Sequence, residues 1–361
     1  MNKSNQINNN FSADDEQERS QLSKIKISNI TYPILIGLGV VGYLIWKEFD
    51  ISAFNQLNFT AMTLFWLIIA LLCMVGRDIG YIIRIKILSS GELSWLQSFR
   101  IIMLWEFTSA ITPSAIGGTS FAIIYVHKEG INLGRSSAIV LLTSFLDELY
   151  FVVMFPLMLL LIGKATLFGE TSQMGMNFET GIMTIALVGY FLKLSYTLLI
   201  SYGLFVNPYG FKWLLYNVFK LRFLKKWRKK ALAVGSEIVE SSKEIKHKGF
   251  MFWFKAIAAT FLSWSSRYLV VNAMLLGFFV YSDHLLLFAR QLVMWIMMLI
   301  MPTPGGSGFT EYLFKEYLSD FIPISGMAVI MALIWRLITY YPYLIAGAII
   351  FPRWIKSKFT K

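Results

Sequence analysis

The sequence predicts an all-α polytopic membrane protein, with about six full transmembrane helices plus two re-entrant Pro/Gly-broken helical hairpins in an inverted repeat. Three observations lead there. Apolar residues make up 56% of the chain and charged ones 15%, whereas soluble domains are charged at roughly a quarter of positions. Apolar runs of about 20 residues, enough to cross the hydrocarbon core, recur along the chain. Two further runs are each interrupted by proline and a glycine pair. Backbone groups in lipid must bond internally, so the spans should be helices, and the alternating pattern of a β-barrel is missing.

In chain order, residues 1–28 are rich in Asn, Ser and acid and read as a disordered cytoplasmic tail. The first apolar run begins only near Tyr32, so no cleavable signal peptide is expected. Full spans fall at about 32–46, 60–83, 136–162, 181–205, 250–277 and 325–350, and the interrupted stretches at 99–126 and 284–318. This divides the chain into a first membrane half (29–205), a basic amphipathic loop (206–249), a second membrane half (250–352) and a basic tail (353–361).

Charge placement sets the topology, because Lys and Arg accumulate in cytoplasmic loops. Loop 206–249 is dense in bases from Lys212 to Lys248, whereas loop 163–180 holds only Lys164. The segment with Arg77, Arg84 and Lys86 and the C-terminal tail should be cytoplasmic too. If both interrupted stretches crossed fully, some basic segment would fall outside whichever way the chain were oriented. If each dips in and returns, every basic segment and both termini lie in the cytoplasm. The basic loop should lie along the membrane surface against anionic headgroups, each base contributing about 1 kcal/mol. Nucleic acid is not an expected partner, since no fold or aromatic pattern supports it.

The interrupted stretches resemble each other. Arg100 and Arg290 are each followed five residues later by a tryptophan, Trp105 or Trp295. Then come Pro113 or Pro302, the glycine pairs Gly117–Gly118 or Gly305–Gly306, the hydroxyls Thr119 or Ser307, and Phe121 or Phe309. Three full spans lie between the two stretches, and an odd number inverts the second copy, as in many secondary transporters. Proline ends a helix and glycine permits a tight reversal. The returning half-helix then presents free amides and its positive end near mid-membrane, which suits an anion such as a lipid phosphate. The candidate headgroup pocket is therefore Pro113, Gly117, Gly118, Thr119, Pro302, Pro304, Gly305, Gly306, Ser307, Gly308 and Glu311. A Pro/Gly kink between packed helices is the plainer reading, and the repetition weighs against it.

Ionisable groups within a span are costly and face a cavity or a partner. The candidate gate residues are Asp147, Glu148, Arg267 and Arg336, with Lys193 and Glu106 also inside spans. Asp147 and Arg336 hold nearly the same repeat position and are expected to meet. Asp147 and Glu148 point about 100° apart, so only one is expected to face the cavity. For each of these a buried ion pair that holds helices in register stands beside a transport role, and snorkelling to the surface is a further alternative for Lys193. The single cysteine, Cys73, gives no disulfide, and His127, His247 and His284 have no ligand spacing, so no metal, cofactor or catalytic residue is expected. No nucleophile elbow or metal pair accompanies the carboxylates, so the chain is not read as an enzyme.

With "TPSAIGGTSFAIIYVHKEG" (112–130) and "PTPGGSGFTE" (302–311) in hand, the sequence resembles the lysylphosphatidylglycerol synthase transmembrane-region family. These are flippase-like integral membrane proteins related to the flippase half of the multiple peptide resistance factor. The segment "GRDIGYIIRIKILSSG" (76–91) also resembles the basic stretch before the family's first motif. The resemblance implies translocation of a phospholipid or lipid-linked headgroup in a bacterial cytoplasmic (inner) membrane. Where family members often carry an acid after the first glycine pair and an arginine beyond, this chain has Thr119 and "FAIIYV". The headgroup therefore does not carry over. The soluble aminoacyltransferase domain of the full-length synthases is not matched, and lysyl transfer is not expected. Two alternatives stand beside this reading: a non-transporting scaffold for a partner lipid-modifying or glycosyl-transferring enzyme, and an ion-coupled small-solute transporter. A homo-oligomer is compatible with each.

Overall fold

Each long apolar run satisfies its backbone by coiling, and polar residues between the runs start and stop the helices. The computed structural model describes residues 59–112, 118–169, 176–221, 225, 228–300, 308–324 and 327–359, and their regular secondary structure is helical throughout. The expected span at 32–46, the N-terminal tail and both hairpin tips lie outside the described residues.

Helix α1 (Ala61–Leu88) starts at Thr60, whose side chain accepts the Thr63 N–H. Helices α2 (Trp95–Ile111) and α3 (Gly118–Lys128) follow, α2 being opened by reciprocal bonds between Ser94 and Gln97. Helix α4 (Leu133–Ile162) is capped by Asn132 and stops at Gly163, where φ is +85°. After the short α5 (Lys164–Phe168), α6 (Met176–Ser201) runs into a π-turn, Tyr202–Val206. Two amphipathic helices, α7 (Pro208–Val218) and α8 (Arg228–Ile245), pack on each other. Next come α9 (Phe250–Leu276), α10 (His284–Met297), α11 (Phe309–Tyr317), α12 (Met327–Thr339) and α13 (Tyr341–Phe359).

By length and composition, Ala61–Leu88, Leu133–Ile162, Gly181–Val206 and Met327–Lys358 are apolar enough to cross a membrane. The protein is thus an all-helical, multi-pass membrane protein. The 27-residue α9 is long enough as well, at about 1.5 Å per residue. Its serines, Lys255 and Arg267 dilute its apolar character. The most extensive helix seam joins α1 to α9. A Cβ on Gly80 would lie 2.4 Å from the Ser263 Oγ and 2.8 Å from the Ala259 carbonyl oxygen, so only glycine lets the two backbones approach this closely. Small residues serve this purpose in membrane helix pairs, where lipid offers no hydrophobic drive for association.

Both interrupted stretches fold back on themselves. In the first, the Gln97 side chain donates to the Glu129 carbonyl at 3.0 Å and Arg100 pairs with the Glu129 carboxylate at 3.0 Å, so α3 ends where α2 begins. In the second, Arg290 donates to the Tyr317 carbonyl at 3.0 Å and pairs with Asp320 at 2.7 Å. The arginine shared by the two motifs therefore ties the open end of each hairpin.

These open ends lie at opposite ends of α4. Near its start, Arg135 pairs with Glu92, Lys248 donates to Ser90 at 2.6 Å, and Glu129 receives Trp354 and Lys358 of α13 at 3.1 and 3.0 Å. Near its finish, the Tyr317 hydroxyl donates to the Leu167 carbonyl at 2.6 Å, and Arg290 reaches the Thr166 carbonyl at 3.4 Å.

One sequence expectation is corrected here. Arg77 and Arg84 do not sit in a surface loop: they lie inside α1 and are buried at 0% and 2% exposure. Bases mark loops only when they lack partners within the bundle, and both of these have one.

Candidate functional site: a charged cavity between the two hairpins

A cavity of about 350 Å³ opens inside the bundle. That is within the usual range for a ligand pocket. Its wall draws on both interrupted stretches. Trp105, Glu106 and Thr119 come from the first hairpin, and Trp295 and Thr310 from the second. Asp147 and Glu148 enter from α4, Lys193 from α6, Arg267 from α9 and Arg336 from α12.

Most of the charge is paired. Arg84 grips Asp147 with both terminal nitrogens at 2.5 and 3.1 Å, and the Trp264 indole N–H donates to the same carboxylate at 2.7 Å. Lys193 donates to both oxygens of Glu148, at 2.7 and 3.0 Å. Arg336 donates to Glu311 at 2.7 Å, and the other Glu311 oxygen accepts the Gly308 N–H at 2.7 Å, capping α11. Arg77 contacts both Glu106 and Asp78, and the Tyr343 hydroxyl donates to Asp78 at 2.8 Å. A buried charge left alone costs several kcal/mol, so each of these pairs is needed once its members are inside.

Arg267 differs. It lies 3.8 Å from Glu106 and makes no hydrogen bond among the described residues. Its guanidinium is held against two aromatic faces, 4.3 Å from the Trp295 ring centroid and 5.4 Å from that of Trp264. Cation–π contacts of this kind fix the group while leaving its N–H donors free.

Of the predicted site residues, Thr119, Asp147, Glu148, Arg267 and Arg336 line this one cavity. Gly118 opens α3 and is buried, Gly308 takes φ +91° before α11, and Glu311 is 2% exposed behind Arg336. Pro113, Gly117, Pro302, Pro304, Gly305, Gly306 and Ser307 lie outside the described residues.

Two expectations are corrected, and the alternatives for Lys193 are resolved as a buried ion pair. Asp147 binds Arg84 and Trp264, while Arg336 binds Glu311, so the two share the cavity through separate partners. Asp147 and Glu148 both face the cavity, because it wraps around α4 far enough to span the 100° between them. Lys193 does not snorkel; it is 6% exposed and turned inward onto Glu148.

Sequence reasoning missed Arg84 and Trp264 as partners of Asp147, and Arg77 as the base under Glu106. A signal was present. Arg77 and Arg84 are seven residues apart, which puts them on one face of a helix, with Gly80 between them.

The family model of the lysylphosphatidylglycerol synthase TM region matches residues 30–347. A UPF0104 membrane protein of Archaeoglobus fulgidus is 30% identical over 309 residues, covering 82% of this chain and 88% of that protein. No solved structure matches. The match runs from before the first described helix to α13 and includes every residue that lines the cavity, so this multi-pass membrane protein belongs to the lysylphosphatidylglycerol synthase transmembrane-region family.

Proposed function

We propose that the protein translocates a phospholipid or lipid-linked headgroup between leaflets, passing it through the cavity while the acyl chains stay in lipid. One observation carries the reading: side chains from both hairpins converge on a single charged cavity, and the hairpins open at opposite ends of α4. A headgroup arriving from either leaflet would find the same polar pocket. In this reading the chain has six spans, the hairpins are re-entrant, the repeat is inverted, and both termini face the cytoplasm.

The bases near the start of α4 fit that orientation. Lys248, Lys358 and helices α7 and α8 would lie on the cytoplasmic side. Tyr209 and Trp213 of α7 are both 67% exposed, as befits a helix resting in the membrane interface among anionic headgroups. Catalysis is the weaker reading, because each cavity carboxylate is held by a cation and none is left as a free base.

The test is headgroup accessibility in proteoliposomes containing only the purified protein and labelled lipid. Loss of the outer-leaflet-only limit, at a rate that scales with protein content, is expected. Lipid that stays in its leaflet at every protein content would refute transport and favour a scaffold. A requirement for a soluble ion-coupled solute in place of lipid would favour the small-solute reading.

A further inference from the structure

We infer, resting on the lipid reading above, that the Glu148–Lys193 pair couples passage of the phosphate group to protons. When the anion enters the cavity, Lys193 turns to it and Glu148 takes up one proton from water. The movement is then driven by a proton gradient, whichever headgroup is carried.

The acids and bases paired around the cavity balance in number, so an entering phosphodiester brings a negative charge with no counter-ion of its own. Such a charge is costly in a low-dielectric interior. The smallest rearrangement that relieves it is to neutralise the acid with the weakest hold, and the acids differ in this respect. Asp147 is fixed by two bonds from Arg84 and a third from the Trp264 indole. Glu311 serves Arg336 and the Gly308 amide, and Asp78 has Arg77 and the Tyr343 hydroxyl. Glu106 has one oxygen unspent among the described residues, yet Arg77 touches the other and Arg267 stands 3.8 Å from it, so two guanidinium groups hold its charge. Glu148 has a single cation among the described residues, Lys193 at 2.7 Å.

Lys193 is also the cation best able to change partners. Lysine carries a point charge on a flexible four-carbon stem, whereas arginine is bound through a rigid planar fork. The Lys193 ammonium rests 4.3 Å from the Phe151 ring centroid, so it keeps a place at the cavity wall when the carboxylate lets go. Deprived of that cation and next to the charge of Asp147 on α4, Glu148 is favoured in its neutral form. Lys193 and Asp147 are the charged groups that act on it, and Tyr196 of α6 lies within electrostatic reach of both Glu148 and Glu237 on α8. Of the other helices packed on α4, α1 brings Tyr81 and the Arg84 already spent on Asp147, and α9 brings Arg267. Helices α3, α5 and α10 bring no titratable side chain to the cavity wall among the described residues. The step transfers one proton from water to a Glu148 oxygen, and Lys193 remains an ammonium throughout.

The experiment measures binding of fluorescent phosphatidylglycerol to the purified full-length chain in detergent micelles across pH, with soluble glycerophosphoglycerol as the second probe. The phosphodiester itself does not titrate near neutral pH. Apparent affinity should fall by up to about tenfold per pH unit, because one proton taken up on binding links the two equilibria. In lightly buffered solution an indicator dye should report about one proton taken up per lipid bound. Glu148→Gln should flatten the pH dependence and abolish the uptake, since its amide cannot accept the proton. Saturable binding by the wild-type chain with neither pH dependence nor proton uptake would overturn the inference, whether or not the variant folds. A full pH dependence kept by Glu148→Gln would overturn it too, by placing the proton elsewhere. Equal proton uptake with the soluble probe would support the coupling and overturn the lipid reading. In proteoliposomes an imposed pH gradient should speed headgroup transfer toward its alkaline side. Transfer indifferent to the gradient would overturn the coupling and leave transport standing, whereas proton-linked binding with no transfer would support the pair's role and overturn transport.

Discussion

Replacing Glu311 with glutamine removes the charge from one of the most buried ion pairs in the protein. Its side chain and that of Arg336 are 3% and 7% exposed, so solvent screens them little. The carboxylate serves two donors, Arg336 at 2.7 Å and the Gly308 amide at 2.7 Å. Glutamine has only one oxygen, and its NH₂ cannot accept from either donor. The variant must give up the helix cap or the arginine, and it removes the carboxylate charge that faces the buried Arg336 guanidinium. Breaking a buried pair from one side costs about 3–5 kcal/mol, and loss of a cap about 1. We therefore expect Glu311→Gln to lower thermal stability in detergent by roughly 5–10 °C. The double replacement Glu311→Leu with Arg336→Met should recover more than half of that loss, because a neutral apolar pair needs no compensation. A double-mutant cycle on the purified protein measures the coupling directly. A Glu311→Gln shift within error, or a double variant whose loss equals the sum of the two singles, would refute the pairing as the support of the second hairpin.

Three other perturbations test separate parts of the account. Gly80→Val should destabilise by about 2–3 kcal/mol through overpacking of the α1–α9 seam, since its Cβ meets backbone as well as Ser263, and the loss should show in thermal melts. Arg100→Ala and Arg290→Ala should both open their hairpins and slow headgroup transfer by at least about tenfold, and unchanged transfer in either would deny the shared closing role of the motif arginines. Burial pushes the Glu237 carboxyl on α8 above the usual carboxylate range, so its charged form costs stability above that raised value; the cost fades as pH falls through that value and is gone below the unfolded-state value. Glu237→Gln should accordingly be more thermostable than wild type at pH 7, with the gap closing as the pH approaches 4, in melts followed across pH.

The fold was legible wherever apolar length decided it. The runs at 60–83, 136–162, 181–205 and 325–350 became long helices, because no other structure satisfies their backbone in lipid. The site was legible as a set of residue types and not as a set of partners. Asp147, Glu148, Arg267 and Arg336 stood out because charge is rare inside a span, and they line one cavity. Which cation meets which acid depends on helix rotation and crossing, which hydropathy does not encode. Arg84 is the clearest case. As a basic residue near the end of an apolar run it reads as a loop marker, yet it turns inward onto an acid 63 residues away. Lys193 left two readings open, since a lysine stem long enough to snorkel is also long enough to reach Glu148.

The most direct test of opposed openings is the side of the membrane on which each hairpin begins. In a Cys73→Ser background, single cysteines at Glu92, beside the first hairpin, and at Ser282, just before the second, can be labelled with a membrane-impermeant maleimide in intact spheroplasts. The account predicts labelling of Ser282→Cys from outside and of Glu92→Cys only after permeabilisation. Labelling of both from one side, before permeabilisation, would contradict it.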